Sequence, residues 1–199
     1  MPVSSPVDVA NLALGHLGEA RITSLDEDTV TARACNLHFN LTRDALLRQH
    51  RWNFAQARVV LSRLAQAPAF QWSSQYTLPS DCLRVLEVNG SESGDVVTEP
   101  WVIEGRVILT DATSVNLVYI KSSTNVDNWD GLFIEALALK LAAKVSESVR
   151  GTTGKTEELI RMLEQVTAPL ARRVDANEGR RRKGMIPLNS IFIRSRDQS

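Results

Sequence analysis

Three runs decide the fold class: Cys82-Leu83-Arg84-Val85-Leu86-Glu87-Val88, Trp101-Val102-Ile103-Glu104-Gly105-Arg106-Val107-Ile108-Leu109 and Val115-Asn116-Leu117-Val118-Tyr119-Ile120. Each is rich in β-branched and aliphatic residues and bounded by turn formers, which is the pattern of short strands. The second reads as a hairpin with Glu104-Gly105 at its tip. Four strands result, and they predict a small antiparallel sheet. Residues 57–64 are ambiguous, but Val59-Val60-Leu61 favours a further strand. Ala67-Pro68-Ala69 breaks that run, Tyr76-Thr77-Leu78-Pro79-Ser80-Asp81 leads into the first strand, and residues 89–95 read as a polar loop.

Outward from this block the periodicity becomes helical on both sides. Upstream, Pro6-Val7-Asp8 opens a helix on which Val9, Leu12, Ala13 and Leu17 recur, weakened or stopped by Gly15 or Gly18. Residues 22–28 form a turn-rich link that Ile22 and Leu25 pin to the core. A longer helix starts near Asp28 or Thr29 and ends around residues 50–54, where Trp52 and Phe54 form an apolar anchor. Ala34, Leu37, Leu41, Ala45 and Arg48 share its stripe, beside Val30, Leu46 and Leu47, while Arg33, Arg43 and Asp44 mark a solvated or interface face. Downstream, Leu132, Phe133, Ala136, Leu137, Leu139, Leu141 and Val145 give a wide apolar face, with Lys140 and Lys144 on the wet side. Ala136, Ala138, Ala142 and Ala143 suit either the internal core or a subunit interface. Gly151-Thr152-Thr153-Gly154 reads as a tight turn. The last helix begins near Thr156, with Leu159, Leu163, Val166, Leu170 and Val174 as a narrow stripe that Pro169 kinks.

The expected fold is therefore α+β, mainly α: a helical bundle with an inserted small antiparallel β-region and an extended C-terminal tail. The bundle comprises residues 1–56 and 123–179, the β-region residues 57–122 and the tail residues 180–199. With 199 residues the chain can bury roughly 70% of its unfolded surface, so no staple is needed. No apolar run approaches the ~18 residues of a membrane span, and no basic segment followed by an apolar core opens the chain, so a soluble, unexported protein is expected. Cys35 and Cys82 lack Cys-x-x-Cys spacing, which suits a reducing compartment and argues against zinc.

The 23 basic and 23 acidic side chains cancel, but unevenly. From residue 172 onward basic groups exceed acidic ones by five, and residues 1–171 carry the opposite excess. Arg180, Arg181, Arg182 and Lys183 form a basic cluster. Met185, Ile186, Leu188, Ile191, Phe192, Ile193 and Arg194 follow Gly184 in a segment too apolar for a purely solvated tail, so it calls for a partner surface.

Tests for chemistry come back empty. His16, His38 and His50 show no pairing at the helical ligand spacing and are read as structural or surface groups. Cys35, three residues before His38, reads as a small buried hydrophobe, as does Cys82. Gly151-Thr-Thr-Gly-Lys155-Thr156 lacks the glycine spacing and preceding strand of a phosphate-binding loop. Asp26/Asp28 and Asp127/Asp130 sit where capping explains them. No catalytic residue, metal or cofactor is expected.

Five segments in order resemble the head-to-tail adaptors of tailed bacteriophages, of the tail tubular protein A type. They are Val9-Ala10-Asn11-Leu12-Ala13-Leu14-Gly15-His16-Leu17-Gly18, His50-Arg51-Trp52-Asn53-Phe54-Ala55, Tyr76-Thr77-Leu78-Pro79-Ser80-Asp81-Cys82-Leu83-Arg84-Val85, Trp101-Val102-Ile103-Glu104-Gly105, and Trp129-Asp130-Gly131-Leu132-Phe133 leading into Glu135-Ala136-Leu137-Ala138. Order and spacing agree over roughly residues 6–180. The resemblance implies a virion structural protein made in the host cytoplasm and placed at the head–tail junction. It implies a homo-oligomeric ring, usually of twelve copies, beneath the portal protein. That ring would continue the channel through which genomic DNA passes without sequence-specific binding, and would present a surface to the next tail or nozzle protein, with no membrane involved. It further implies a C-terminal extension onto the portal, for which the basic and apolar residues named above are the candidate. Two other readings stand beside it: a phage cell-wall hydrolase using Glu99 or Glu104, and a nucleic-acid-binding module using the basic cluster, whose affinity would fall steeply with salt.

Overall fold

Local chemistry sets the first helix. In the computed structural model, which describes residues 3–92, 99–150 and 154–178, α1 (Pro6–Leu17) is opened by Ser5. The Ser5 hydroxyl accepts the Asp8 N–H at 3.2 Å, and the Asp8 carboxylate accepts the Ser5 N–H at 3.0 Å. This reciprocal cap satisfies two donors that the helix leaves free, and Pro6 sits where no N–H is needed. The helix ends at Gly18, whose φ of +70° is open to glycine at little cost. Hydrogen bonds from the Ser5 hydroxyl, then from the Ser4 backbone, hold the Asp8 carboxyl below its ordinary value. Asp8 thus stabilises α1 above the usual carboxylate range, and that support is lost as pH falls through the lowered pKa. Ser5→Ala should cost about 1 kcal/mol in urea unfolding at neutral pH and return the Asp8 carboxyl, followed by NMR titration, toward its ordinary value. An unmoved Asp8 titration would contradict the cap.

Thr29 starts α2 (Val30–Gln49) by accepting the Ala32 N–H at 3.1 Å. The face it buries is not the expected one. Ala32, Ala34, Cys35, Phe39, Thr42, Arg43, Leu46 and Leu47 are buried, whereas Leu37, Leu41, Ala45 and Arg48 are exposed. Both sets recur at helical spacing. The inward one contains Thr42 and Arg43, which disguise it as a weaker stripe. Arg43, expected on a solvated or interface face, is buried within the chain. Its guanidinium donates to Asp44 at 2.8 Å, Asn40 at 2.9 Å and Ser122 at 3.2 Å, joining α2 to the sheet.

After a 3-10 turn at Asn53–Ala55 the chain builds two antiparallel sheets instead of one. The first contains β1 (Gln56–Leu61), β3 (Cys82–Val88), β4 (Ser91–Glu92) and β7 (Val115–Lys121) in the order β1-β7-β3-β4. The second contains β2 (Ser74–Thr77), β5 (Trp101–Glu104) and β6 (Val107–Thr110) in the order β2-β6-β5. β2 begins two residues before the stretch read as a lead-in and overlaps its start, and β4 falls within the loop. Both are short strands defined by their partners more than by their own pattern. Glu104 pairs with Val107, so the hairpin turns at Gly105-Arg106, one residue later than expected, with Gly105 at φ +59°. Alternation along β7, and the register shift between Val85 and Glu87 in β3, give the larger sheet two buried faces. Val88, Val115, Leu117 and Tyr119 join a core with Tyr76 and Ile108, while Leu86 and Ile120 belong to the helical core.

Asp130 caps α3 (Gly131–Arg150), its carboxylate accepting the Leu132 N–H at 2.8 Å and the Phe133 N–H at 3.3 Å. This helix packs against α1, α2 and the two helical segments that follow, α4 (Gly154–Met162) and α5 (Ala168–Glu178). Most of its positions between Phe133 and Ser146 are buried, while Glu135, Lys144, Glu147 and Ser148 are exposed. Ala136, Ala138 and Ala142 have no exposure, which assigns the small-residue face to the internal core.

Between α4 and α5 lies a π-helical turn, Leu163–Thr167, in which Ala168 N–H bonds to Leu163 O. Pro169 has no N–H to give the preceding turn, and the wider turn accommodates its ring. The inserted residue shifts the phase of everything beyond. Leu159, Leu163, Thr167, Ala168, Ala171 and Asp175 face inward, while Val166 and Leu170, expected in the stripe, are exposed. The fold is α+β and mainly helical, as expected, with the β-region between the halves of the bundle. Residues 151–153 of the turn expected at 151–154 lie outside the described residues, while Gly154 already opens α4, two residues before the expected start; the tail and residues 93–95 of the expected polar loop also lie outside them.

Candidate assembly surfaces

The residues that the resemblance implies for portal docking cannot be placed. Arg180, Arg181, Arg182, Lys183, Met185, Ile186, Leu188, Ile191, Phe192, Ile193 and Arg194 all lie outside the described residues. The side chains weighed for chemistry can be placed. His50 Nε2 lies 3.1 Å from Asp175, and its ring meets Trp52 edge-on at 4.9 Å. Burial pushes the Cys35 thiol up to about 11, so it stays protonated at neutral pH and is no thiolate nucleophile. Burial also raises the Cys82 thiol. Glu99, two residues before β5, and Glu104, its last residue, are both exposed. Among the described residues no group of three or more His, Cys, Asp or Glu could hold a metal, and no helix is long and apolar enough to cross a membrane.

The five ordered segments do have a common character: each forms a joint. Asn11 clasps the link after α1, its side chain donating to Ile22 O and accepting Ile22 N–H, both at 2.9 Å. Arg51 spans Glu87 and Glu92 on neighbouring strands, and Trp52 Nε1 donates to Leu46 O at 3.1 Å. Asn53 N–H donates to Asp175 at 2.8 Å, tying the 3-10 turn to α5. Tyr76 Oη donates to Ala112 O at 2.9 Å, and Tyr119 Oη to Asp81 at 3.1 Å. Burial, then the Asp81 charge, lifts the Tyr119 phenol to about 12, so it remains a donor. Gly105 makes the hairpin turn, Trp129 Nε1 donates to Ser123 at 3.2 Å, and Asp130 caps α3.

No protein-family model matches the chain, and no curated protein matches it. The surface must therefore be read from its own residues. Two apolar stripes stand out, one on α2 with Val30, Leu37 and Leu41, the other with Met162, Val166 and Leu170 along α4, the π turn and α5. The signal for the first was already present: Leu37 and Leu41 recur on a helix that carries a second apolar face through Cys35, Phe39 and Leu46. A hollow of about 340 Å³ between α1 and the start of α3 is lined by Val3, Leu12, His16, Gly131, Ile134, Glu135 and Ala138. On α3, Lys140 is half-buried, not fully wet as expected. Burial first, then Lys144 and Arg172, lowers its ammonium pKa.

Proposed function

We propose that the chain is a structural head-to-tail connector of a tailed bacteriophage, forming a ring beneath the portal, continuing the DNA channel and attaching the tail. The observation that carries this reading is the role of the five resembling segments. They occupy helix caps, inter-element hydrogen bonds and a hairpin turn, as the signature of an architectural protein would, and they do not converge on one cleft. The exposed apolar stripes of the bundle support it, because aligned outward leucines and valines in a soluble helix mark contact with another protein.

The tail, residues 180–199, is the portal-docking arm in this reading. Its basic residues meet acidic groups, and its apolar half enters a surface on the portal. Repeated around a ring, contacts of moderate strength add by multivalency. Deleting residues 180–199 should abolish attachment to portal-bearing heads in a co-sedimentation assay, with the melting temperature of the body unchanged. Normal attachment of the shortened chain would sink the docking assignment. Retention only at low salt, together with salt-sensitive binding to duplex DNA, would favour the nucleic-acid reading instead.

A further inference from the structure

We propose that the outer edge of β1 takes residues 188–194 of the same chain as an added strand, which holds the tail against the body until a partner draws it away. The proposal goes beyond the ring reading and does not depend on it. β1 lies at the margin of the larger sheet, and among the described residues its strand partner is β7 alone. The pairing runs without a shift from Gln56 to Leu61, and β1 has no proline and one charge, Arg58. Arg58, Val59 and Val60 are exposed in succession, Val60 at 68%. The other margins are better guarded. β4 is two residues long, and β5 is four residues long and ends in Glu104. Beside β2 the chain returns through the Arg63–Tyr76 bridge and a bond from Leu64 N–H to Gln75 O. A regular edge such as that of β1 turns the N–H and C=O groups of alternate residues outward, which makes it a template for one more strand.

The place where α5 ends names the occupant. Asp175 accepts the Asn53 N–H at 2.8 Å, and Gln56, the first residue of β1, donates through Nε2 to Asn53 Oδ1 at 3.2 Å. α5 therefore ends, at Glu178, three residues beyond a bond to the 3-10 turn that leads into β1. Residues 179–187 reach up to ~33 Å when extended, and β1 is ~20 Å long, so the segment that follows can lie along it in either direction. That segment is Leu188-Asn189-Ser190-Ile191-Phe192-Ile193-Arg194. It begins directly after Pro187, holds no proline or glycine, and has a β-branched and aromatic centre, which suits a strand of about the length of β1. Val59 and Val60 fall on opposite faces of the sheet, and both are left open. As a strand the segment matches this on both sides, with Ile191 and Ile193 on one face and Leu188 and Phe192 on the other. The short tether gives it an effective concentration on the order of millimolar, which a second copy's β1 equals only in concentrated solution.

Amide hydrogen exchange of the full chain, followed residue by residue by NMR at dilutions where mass photometry finds monomers, tests this directly. Along β1 the amides bonded to β7 alternate with those that face outward. The outward set should be protected in the unsubstituted chain. Ile191→Pro with Phe192→Pro removes a donor directed to each side of the added strand. In that variant the outward amides should exchange about tenfold faster, the net worth of a hydrogen bond or two, while the β7-bonded set keeps its rates. The melting temperature does not report the change, because such an edge opens well below global unfolding. Unchanged outward amides, or equal acceleration of both sets, would overturn the proposal. Protection that rises with protein concentration and survives the prolines would overturn it in favour of a second copy's β1. As a second measurement, Val60→Cys with Ile191→Cys should be joined within one chain by a short bismaleimide, since native Cys35 and Cys82 are buried. Leu37→Cys with Ile191→Cys, on the exposed face of α2, should be joined far less, and equal yields would count against the edge. Portal rings should suppress the Val60–Ile191 link. A link formed equally well on bound rings would remove the docking assignment and leave the edge pairing, whereas portal attachment by a chain that never forms the link would do the reverse.

Discussion

Trp52→Ala is expected to destabilise the chain by ~3–5 kcal/mol, the largest loss of any single substitution considered. The indole is 1% exposed. It meets Phe133 edge-on with ring centres 5.1 Å apart, His50 at 4.9 Å and Phe54 at 6.0 Å. Phe133 in turn touches Phe54 at 5.0 Å and Trp129 at 5.4 Å. Removing the indole leaves a cavity at the meeting point of α2, α3 and the 3-10 turn, and frees the Leu46 carbonyl that Nε1 had satisfied. Packed interiors close such cavities only in part. For a chain of this size the melting temperature should fall by roughly 6–20 °C. Urea denaturation followed by circular dichroism measures the loss, and a value below ~1 kcal/mol would show that the aromatic cluster does not hold the bundle together.

Asp175→Ala should cost ~1.5–3 kcal/mol and should act locally first. Asp175 is 6% exposed, accepts the Asn53 N–H and faces His50, so its removal leaves a partly buried donor unsatisfied. The same contacts fasten α5 to the 3-10 turn, with the Asn53 amide reaching the Asp175 carbonyl as well. Hydrogen exchange should therefore accelerate in α5 before it accelerates in α3, because a locally weakened element opens below the global unfolding free energy. Uniform acceleration across the bundle would show that α5 has no independent opening. Asp175→Asn, which keeps the shape and one acceptor, should lose less.

Where elements begin and end was legible in the sequence, because caps act within a few residues. Ser5-Pro6, Gly18, Thr29 and Asp130 mark their boundaries through bonds that span at most four positions. Which face of a helix turns inward was not legible, because burial is decided by partners far along the chain. On α2 two apolar stripes competed, and α3 took the one containing Phe39 and Leu46. Beyond Leu163 the π turn advances the phase by one residue, so a stripe read at constant period drifts outward by Leu170. The division of the strands into two sheets was hidden for the same reason, since β2 is four residues long and pairs with β6 about thirty residues later. As for the candidate surfaces, Leu37, Leu41 and Val166 were visible as apolar positions, but periodicity alone assigned them to the core they leave uncovered.

The place of α3 at the axis of the bundle has a consequence during synthesis. α1 and α2 are complete by residue 49, yet the helix that covers Cys35, Phe39 and Leu46 begins only at Gly131, some eighty residues later. At ~5–20 residues per second a ribosome needs roughly 4–16 s to make that stretch. For those seconds the first two helices wait with their inner faces bare, and the whole β-region emerges in the interval. The nascent chain is thus open to chaperones or to misassociation until the central helix arrives, and the bundle closes late and all at once.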